Sequence, residues 1–543
     1  MTLETPRRLL TDLLDDAVAS VPNRTAIDFM GAKTSYASLA ARVDRCARGL
    51  QALGVVKGTP VGLCLPNMPA YVILYFALHR IGGMVVNINP LYTPREIAHL
   101  LHDSGARIVA CCDVPEYHGK LAHLIHERTL DTMVVCPMAD ALPMVKRQLY
   151  RLFKRGDIAP VAGDGREVRF ADLLRDDRPA DPVARDPDDV AVLQYTGGTT
   201  GEPKAAMLTH DNLVVNSAQM TRHVSRMGLD KERIMGVLPL FHAFALTTVL
   251  HYGIDSCSTI VLLPRFEMRQ FLKAMKRTRC TELFAVPTML NALGALPRNK
   301  LAVMSSLKFS ISGGAPLPIE IRQAFEEKTG CIVVEGYGLT EAAPIITCNP
   351  IDGVIKDNSC GPAFPDTVIE VRDLDDPHEL LPAGRRGEVC VRGRQVMKGY
   401  WRRPHDDAQV FVDGALRTGD VGYLDEQGYL FLVDRIKDVI LAGGYNIYPR
   451  VIEDALYEHP AVLEAVVIGI DDPYRGQTPK AFVTLRPDQA ITTEAIRAFL
   501  RERINKLEMP RQIEIRDRLP KTLIGKLSKK ELVAEEKAKS AGS

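Results

Sequence analysis

The sequence predicts an α/β protein with a large N-terminal domain of α/β subdomains plus a β-rich subdomain, and a small, mobile α+β domain at the C-terminus. Three observations carry this prediction. The chain has 543 residues, too many for one compact core. Apolar strand patterns alternate with helical patterns over most of its length, which is typical of sheets covered by helices. From residue 361 to 430, short strand patterns separated by Gly and Pro replace that alternation.

The first hundred residues alternate between helix and strand patterns. Helical spacing covers 35–53 and 69–79, and short apolar strands cover 60–65 and 84–88. The segment Thr93-Pro-Arg-Glu96 predicts a helix start, because Pro fits the first turn and the acidic residue suits a capping position. We therefore expect the first α/β layer here.

The middle of the chain repeats this pattern and then becomes β-rich. Strands are predicted at 190–194, 233–238, 259–263, 282–286, 307–312 and 331–335, and helices at 211–224, 268–277 and 318–328. The β-rich subdomain is predicted from strands at 367–373, 387–392 and 429–433.

A domain boundary is predicted near 434–438, which divides the chain into domains 1–434 and 435–543. Beyond it, strands at 462–470, 480–485 and 512–516 accompany a helix at 493–504 and a final basic helix. A unit of about a hundred residues is a normal domain size.

Composition excludes several classes of protein. A hydrophobic content of 46% and a charged content of 25% are ordinary for a soluble globular protein. The net charge of +1, with basic and acidic residues interspersed, argues against a nucleic-acid partner. Eleven cysteines include no C-x-x-C pair, and an odd number cannot all pair, which favours a reducing cytosol over a disulfide scaffold or a zinc site.

Two further features favour a cytoplasmic protein. The N-terminal residues contain no signal-peptide apolar region. The longest uncharged apolar stretch, 234–250, contains Gly236, Pro239 and His242, so we expect strand, loop and helix there instead of a membrane span.

The segment Tyr195-Thr-Gly-Gly-Thr-Thr-Gly-Glu-Pro-Lys204 is the strongest local signal. A glycine-rich loop after a strand lets backbone N–H groups approach phosphate oxygens, and the threonine hydroxyls and the lysine add donors and charge. The segment lacks the adjacent Gly-Lys-Ser/Thr of a kinase-type P-loop and the G-x-G-x-x-G of a dinucleotide site. It predicts a nucleotide phosphate site, and the alternative is a flexible surface loop.

Other polar, glycine-marked segments lie between apolar runs, and each taken alone fits a core residue, an ordinary turn or a surface salt bridge. They are His242 within 239–245, then 312–317, 335–341, 417–420, 434–435, 443–449 with Glu453, and 520–526. In this order, together with 195–204, they resemble the motifs of the acyl-adenylate-forming (AMP-dependent) synthetase and ligase superfamily. The resemblance runs from about residue 35 to residue 532, and six independent motifs make it specific.

Within that superfamily the chain looks most like the bacterial long-chain fatty acid–CoA ligases. The segments 195–201, 335–341 and 395–401 fit that group. One departure is Ala205, where the family usually has Gly, and we expect it to stiffen the loop slightly. The resemblance implies a reaction in which ATP and a fatty acid give acyl-AMP and pyrophosphate, after which coenzyme A displaces AMP. It also implies Mg²⁺, because phosphates and oxygen ligands suit a hard cation.

The resemblance assigns site residues. Phosphates would be bound by Thr196, Gly197, Gly198, Thr199, Thr200, Gly201 and Lys204, and Mg²⁺ by Thr200 and Glu341. The adenine and α-phosphate region would be lined by Gly314, Glu335, Gly336, Tyr337 and Thr340, and the ribose would contact Asp420 and Arg435. The implied catalytic residues are Lys526, Glu341, Thr200 and His242, with His242 beside the forming acyl adenylate and gating the acyl channel.

The position of Lys526 in the second domain implies domain motion. Lys437 corresponds to the family's hinge, and after rotation Gly443 and Gly444 would face the pantetheine arm of coenzyme A. For these two glycines a plain hairpin turn is the alternative. Acetylation of Lys526 by a lysine acetyltransferase would remove its charge and so regulate the enzyme. A homodimer is a further hypothesis.

The acyl substrate and the membrane are addressed by two weaker signals. Segments 241–246, 286–290 and 342–346 contain no lysine or arginine and are expected to form an apolar acyl pocket. The segment 142–155 interleaves basic and apolar residues, which suits peripheral contact with the inner face of the cell membrane. A solvated helix packed on the protein is the alternative.

Three other functions stay open at this point. A medium-chain or aryl-acid CoA ligase has the same implied fold, and an adenylate-forming ligase could load a carrier protein instead of coenzyme A. A non-catalytic nucleotide-binding protein is disfavoured, since it would not need Lys526, Glu341 and Thr200 together.

Overall fold

The computed structural model describes residues 5–161, 165–196, 202–225, 231–442, 445–522 and 525–541. In this part of the chain the strands form four sheets, here called A to D, with helices packed against them. The predicted α/β fold class is confirmed.

Sheet A has eight strands, of which the inner ones are parallel. Both edges are antiparallel, which lets a short hairpin close each side. In spatial order the strands are Ile345–Cys348, Ile332–Gly338, Phe309–Ser312, Glu282–Ala285, Arg233–Gly236, Thr259–Leu262, Thr25–Phe29 and Ala32–Ser35.

Sheet B has seven strands and is parallel except for its final hairpin. Its order is Glu167–Arg169, Thr132–Cys136, Ile108–Cys112, Pro60–Cys64, Met84–Asn87, Val190–Thr196 and Lys204–Thr209. The last strand was not predicted from the sequence. Ala205, where the family usually has Gly, lies in this strand, buried and opposite Tyr195. The substitution of Gly by Ala therefore falls in a paired strand and not in the loop.

Helices cover sheets A and B. The α-helices of this region are Leu10–Ser20, Tyr36–Ala52, Pro69–Arg80, Pro94–Ser104, Pro115–His126, Met144–Phe153, Phe170–Leu173, His210–Ser225, Ala243–Ala245, Tyr252–Asp255, Met268–Thr278, Pro287–Gly294, Arg298–Leu301 and Ile319–Thr329. Short 3₁₀ helices lie at Met138–Ala141, Arg155–Asp157, Ala302–Met304 and Thr340–Ala342, and Leu246–His251 is a π-helical turn.

Two helices show how sequence sets this layer. Thr93 and Glu96 form a capping box: Thr93 Oγ1 accepts from the Glu96 backbone N–H, and Glu96 Oε2 accepts from the Thr93 N–H at 2.7 Å. The helix Pro69–Arg80 is buried along almost its whole length, because its sequence is apolar on every side.

Sheet C is the predicted β-rich subdomain. It contains Val368–Arg372, Gly387–Arg392, Ala415–Leu424, Phe411–Val412 and Leu430–Arg435, with the helix Pro404–Val410 beside it. Neighbouring strands are antiparallel, as the Gly- and Pro-rich turns indicate.

Sheet D contains the strands of the C-terminal region: Tyr445–Ile447, Ile440–Ala442, Gly476–Leu485, Val462–Asp472 and Gln512–Ile515. Its helices are Pro449–Tyr457, Thr493–Arg501 and Lys529–Ala541. The 3₁₀ turn Ile436–Asp438 separates sheet C from sheet D, and the division at residues 434 and 435 stays a prediction.

Candidate active site

Four of the predicted site residues lie beyond the carboxyl ends of parallel strands in sheet A. His242 follows Arg233–Gly236, and Gly314 follows Phe309–Ser312. Thr340 and Glu341 follow Ile332–Gly338 in the turn Thr340–Ala342. Crevices at the carboxyl ends of parallel strands are where ligands bind in open α/β sheets.

Lys526 of the C-terminal region reaches this edge of sheet A. A Cβ built on Gly314 would lie 2.6 Å from Lys526 Cε and 3.0 Å from its Nζ. Gly314 also has a φ of +82°, a backbone conformation that residues with a side chain rarely adopt. The backbone conformation and the space that the lysine fills therefore both favour glycine at 314 in this arrangement.

Lys526 is half-buried in this arrangement. Burial and the nearby guanidinium of Arg435 lower the pKa of Lys526 to about 8, and the carboxylate of Asp420 partly offsets this. The lysine is still mostly protonated at neutral pH. Its loop is held by Thr522, whose Oγ1 accepts from the Lys526 backbone N–H at 3.1 Å.

Asp420 is the centre of a second cluster. Its Oδ2 accepts a hydrogen bond from Tyr337 Oη at 2.6 Å, and Arg435 Nε lies 3.1 Å from its Oδ1. Burial raises the pKa of Asp420, although Arg435 and Tyr337 stabilise the carboxylate. Lys437 lies close by, and burial and Arg435 lower its pKa. A fixed carboxylate in this place can accept hydrogen bonds from ligand hydroxyls.

Glu341 and Lys204 are connected through Tyr400. Tyr400 Oη donates to Glu341 Oε1 at 2.7 Å, and Lys204 Nζ lies 5.5 Å from the centre of the Tyr400 ring. Lys204 also forms an ion pair with Asp406. Tyr400 and Asp406 were not predicted as part of the site, although Tyr400 lies in the segment 395–401 that supports the family resemblance.

The segment around Tyr400 is bonded to the strand that ends the phosphate loop. The Met207 N–H donates to Gly399 O at 2.9 Å, and the Trp401 N–H donates to Ala205 O at 2.8 Å. A third bond, from the Lys398 N–H to Met207 O at 3.0 Å, extends this pairing. The strand Lys204–Thr209 is thus held on both edges, which positions Lys204 at the end of the predicted phosphate segment.

Glu335 is a further buried carboxyl group among the predicted site residues. It is buried, and Cys360 Sγ lies 3.8 Å from its Oε1. Burial raises the pKa of Glu335 to about 7, while Arg450 of the C-terminal region and the Leu317 N–H lower it. Glu335 therefore faces the contact between the two regions of the chain.

His242 borders the surroundings of Lys526. It lies with Phe244, Val286 and Lys526 around a cavity of about 10 Å³. Burial and the charge of Lys526 lower the pKa of His242 to about 3, so the imidazole is neutral, and its Nδ1 accepts from the Phe244 N–H at 3.3 Å. A cavity of this size holds about one water molecule, so an acyl chain requires neighbouring side chains to move.

Of the remaining predicted residues, some lie in the described part of the structure and others lie outside it. Thr196 ends its strand, where its Oγ1 donates to Lys204 O at 3.3 Å. Gly336 lies in Ile332–Gly338, where a Cβ would be 3.3 Å from Thr347 O. The predicted residues Gly197, Gly198, Thr199, Thr200, Gly201, Gly443 and Gly444 lie outside the described residues.

Family profiles match both regions of the chain. The profile of the AMP-binding enzyme covers residues 14–401, and that of the AMP-binding enzyme C-terminal domain covers residues 451–526. The chain belongs to the AMP-binding enzyme family. The resemblance found from the motifs is thereby confirmed, and so is the prediction of an enzyme.

Similar proteins agree over nearly the whole chain. A long-chain-fatty-acid–CoA ligase of Bacillus subtilis (strain 168) is 38% identical over 538 residues, covering 98% of this chain and 96% of the relative. A feruloyl-CoA synthase of Amycolatopsis is 37% identical, covering 94% and 96%. The crystal structure of the anthranilate CoA ligase AuaEII with anthranoyl-AMP superposes with a TM-score of 0.87 at 26% identity, covering 99% of both chains.

Proposed function

We propose that this chain is a long-chain fatty acid–CoA ligase that works in two steps. In the first, a carboxylate oxygen of the fatty acid attacks the α-phosphorus of ATP and pyrophosphate leaves. In the second, the thiolate of coenzyme A attacks the acyl carbonyl carbon and AMP leaves with the shared oxygen. The placement of Lys526 over Gly314, beside the Asp420 cluster, carries the proposal.

Charge neutralisation is the main task in the first step, because the carboxylate and the phosphates repel each other. Lys526 brings a partly desolvated ammonium to the edge of sheet A where they meet. In a water-poor site a point charge acts more strongly than it does in bulk solvent. Asp420 accepts hydrogen bonds from the ribose hydroxyls, with Arg435 holding the carboxylate in place.

The Mg²⁺ proposal rests on the oxygen ligands near the phosphate loop. Glu341 offers a carboxylate whose orientation is fixed by Tyr400 Oη. The described residues contain no cluster of three or more His, Cys, Asp or Glu side chains able to hold a metal. This suits Mg²⁺, which is commonly held by one or two protein oxygens together with substrate phosphates and water. Glu341 and Thr200 would hold the ion, which supplies charge to the leaving pyrophosphate.

The acid is proposed to be a long-chain fatty acid because of the Bacillus relative, while the feruloyl-CoA synthase and the anthranilate ligase keep an aryl acid as the alternative. A pyrophosphate-release screen tests this, using C8 to C18 fatty acids, ferulate, benzoate and anthranilate with ATP and Mg²⁺. The proposal expects the highest kcat/KM with C14 to C18 acids. A maximum at an aromatic or medium-chain acid would replace it with the alternative.

The acceptor is tested separately. Purified acyl-AMP is supplied with coenzyme A, with pantetheine or with a phosphopantetheinylated carrier protein, and thioester formation is followed by mass spectrometry. Coenzyme A should react fastest. Preference for the carrier protein would identify a loading enzyme.

Membrane contact is proposed for the helix Met144–Phe153. Its large apolar side chains are exposed by 49–78%, and no residue of this helix is buried. Three basic side chains tie it to the protein, since Arg151 pairs with Asp140, Arg147 donates to Asp140 O and Lys146 donates to Met30 O. The apolar side chains therefore face outward beside positive charge, which suits an anionic membrane surface. No helix in the described ranges has the length and apolarity needed to cross a bilayer.

Vesicle flotation tests this contact. Wild type should float with vesicles containing phosphatidylglycerol, and the double variant Leu149→Asp/Leu152→Asp should not. Tyr474→Asp is the control, because Tyr474 is 94% exposed and lies in the C-terminal region. Equal flotation of wild type and the double variant would contradict the proposal.

Two smaller proposals concern regulation and assembly. Lys526 is proposed as a target of a lysine acetyltransferase, since acetylation would remove its charge; mass spectrometry of protein from cells tests whether the modification occurs. The homodimer stays a prediction, and light scattering of the purified protein tests it.

A further inference from the structure

The helix Pro287–Gly294 of the large region contacts the C-terminal region through two polar side chains. Thr288 Oγ1 donates to Gly525 O at 2.7 Å, and Asn291 Nδ2 donates to Leu463 O at 3.3 Å. The two residues are three positions apart, which places them on the same side of the helix. One of these bonds ends on the residue directly before Lys526.

At the Gly525 end of this contact, a residue with a side chain would be unfavourable. Gly525 has a φ of +85°, and a Cβ there would lie 3.2 Å from Thr288 Oγ1. The loop is also closed internally, because the Gly525 N–H donates to Thr522 O at 2.8 Å and the Thr522 N–H donates to Lys526 O at 2.6 Å. A bond to Gly525 O therefore acts on a backbone segment that is linked through Thr522 to Lys526.

The Thr288 bond exists only when the C-terminal region lies as it does here. Its two ends are 237 residues apart in sequence and belong to different regions of the chain. An interaction made in one arrangement and not in another shifts the population toward the first. A net contribution typical of one hydrogen bond shifts it by about two- to tenfold.

We propose that Thr288 is a positioning residue for Lys526: its hydroxyl holds Gly525 and thereby keeps the lysine in the arrangement used to form acyl-AMP. Thr288 itself touches neither substrate nor reacting atoms. This inference rests on the proposed two-step function for its kinetic part. It assigns to 286–290 a role beyond the expected acyl pocket, since the Thr288 hydroxyl faces the C-terminal region.

The kinetic test compares two variants of nearly the same size. Thr288→Val removes the hydroxyl, and Thr288→Ser keeps it. Thr288→Val should lower the rate of acyl-AMP formation about two- to tenfold, while the thioester step from preformed acyl-AMP and coenzyme A changes by less than about twofold. Thr288→Ser should restore acyl-AMP formation. Equal loss in both steps, no loss, or failure of serine to rescue would overturn the proposal.

A second readout does not depend on turnover. Acetic anhydride labels accessible lysines, and mass spectrometry gives the labelling rate of Lys526 relative to the exposed Lys33. Thr288→Val should raise that ratio about two- to tenfold, and Thr288→Ser should leave it unchanged. An unchanged ratio in a folded Thr288→Val protein, checked by its denaturation midpoint, would refute the positioning role.

The labelling experiment also tests the positioning role of Thr288 separately from the proposed ligase function. If wild type forms no acyl-AMP with any acid tested, the proposed function fails, yet the labelling ratio still decides whether Thr288 holds the lysine loop. Asn291→Leu provides a comparison at the same interface. Because the Asn291 bond to Leu463 O is longer, at 3.3 Å against 2.7 Å, and does not end beside Lys526, this variant should raise the labelling ratio less than Thr288→Val does.

Discussion

The two halves of the candidate site are held in different ways. The phosphate-loop half, with Lys204, Tyr400 and Glu341, lies in one region of the chain, and the strand Lys204–Thr209 is bonded on both edges. The Lys526 half belongs to the C-terminal region and meets the large region through contacts such as the Thr288–Gly525 bond. From this difference we propose that nucleotide binding uses the half built within one region, while acyl-AMP formation depends on the position of Lys526, which the C-terminal region supplies.

Removal of the Lys526 ammonium group should have the largest effect. Lys526→Ala is expected to reduce acyl-AMP formation by about a hundred- to a thousandfold, as for other groups that stabilise transition-state charge. Thioester formation from supplied acyl-AMP should fall much less. Single-turnover measurements of each step provide the check, and equal loss in both would break the proposed division between the two halves.

A substitution in the half that contains Lys204, Tyr400 and Glu341 should instead change how acyl-AMP formation depends on the Mg²⁺ concentration. Tyr400→Phe removes the hydroxyl that orients Glu341, and we expect about a tenfold loss of acyl-AMP formation at low Mg²⁺ that is partly recovered at high Mg²⁺. Trp401→Phe is a nearby control. A loss that does not depend on the Mg²⁺ concentration would argue against Glu341 as a metal ligand.

A pH profile sharpens the comparison further. Since burial and Arg435 lower the pKa of Lys526 to about 8, its ammonium is present below that pH and is lost as the pH rises through it. The kcat/KM for acyl-AMP formation should therefore fall about fourfold between pH 7 and pH 8.5. Lys526→Arg should abolish this alkaline decline. An unchanged profile in that variant would assign the titration to another group.

The smallest expected effect concerns how the stability of the large region depends on pH. Burial lowers the pKa of His210 to about 4 and that of His251 to about 3, both in the large region. Unfolded histidine binds a proton near pH 6.5, so these groups favour the folded state above that pH and stabilise it less as the pH falls. The denaturation midpoint should drop between pH 6.5 and 4.5, and His251→Leu should show a shallower slope. An equal slope would contradict this role.

Much of the fold follows from local patterns. The capping box at Thr93 and the apolar helix Pro69–Arg80 carry their signals within a few residues, and the structure places both as predicted. The strand Lys204–Thr209 was missed because its two alanines have low strand propensity and because the glycine-rich segment before it favours a loop. Its second edge pairs with residues near 400, and pairing over such distances leaves no local pattern.

The site divides in the same way. Lys526, Glu341 and Asp420 lie in motifs that the sequence displays, whereas Asp406 and Thr288 do not. Asp406 contacts Lys204 across 202 residues, and Thr288 contacts Gly525 across 237. Only the folded chain shows what a lone threonine or aspartate touches, because spacing along the chain does not encode it.

The close approach of Lys526 to Gly314 has an evolutionary consequence. A substitution at 314 acts on the end of a side chain supplied by another region, so the residue tolerated at one position depends on the other, although they are far apart in sequence. In a descendant that has lost the lysine, position 314 would be released from the steric requirement and would keep only the demand for a positive φ. Residues such as Asn, which tolerate that conformation, should then become acceptable there.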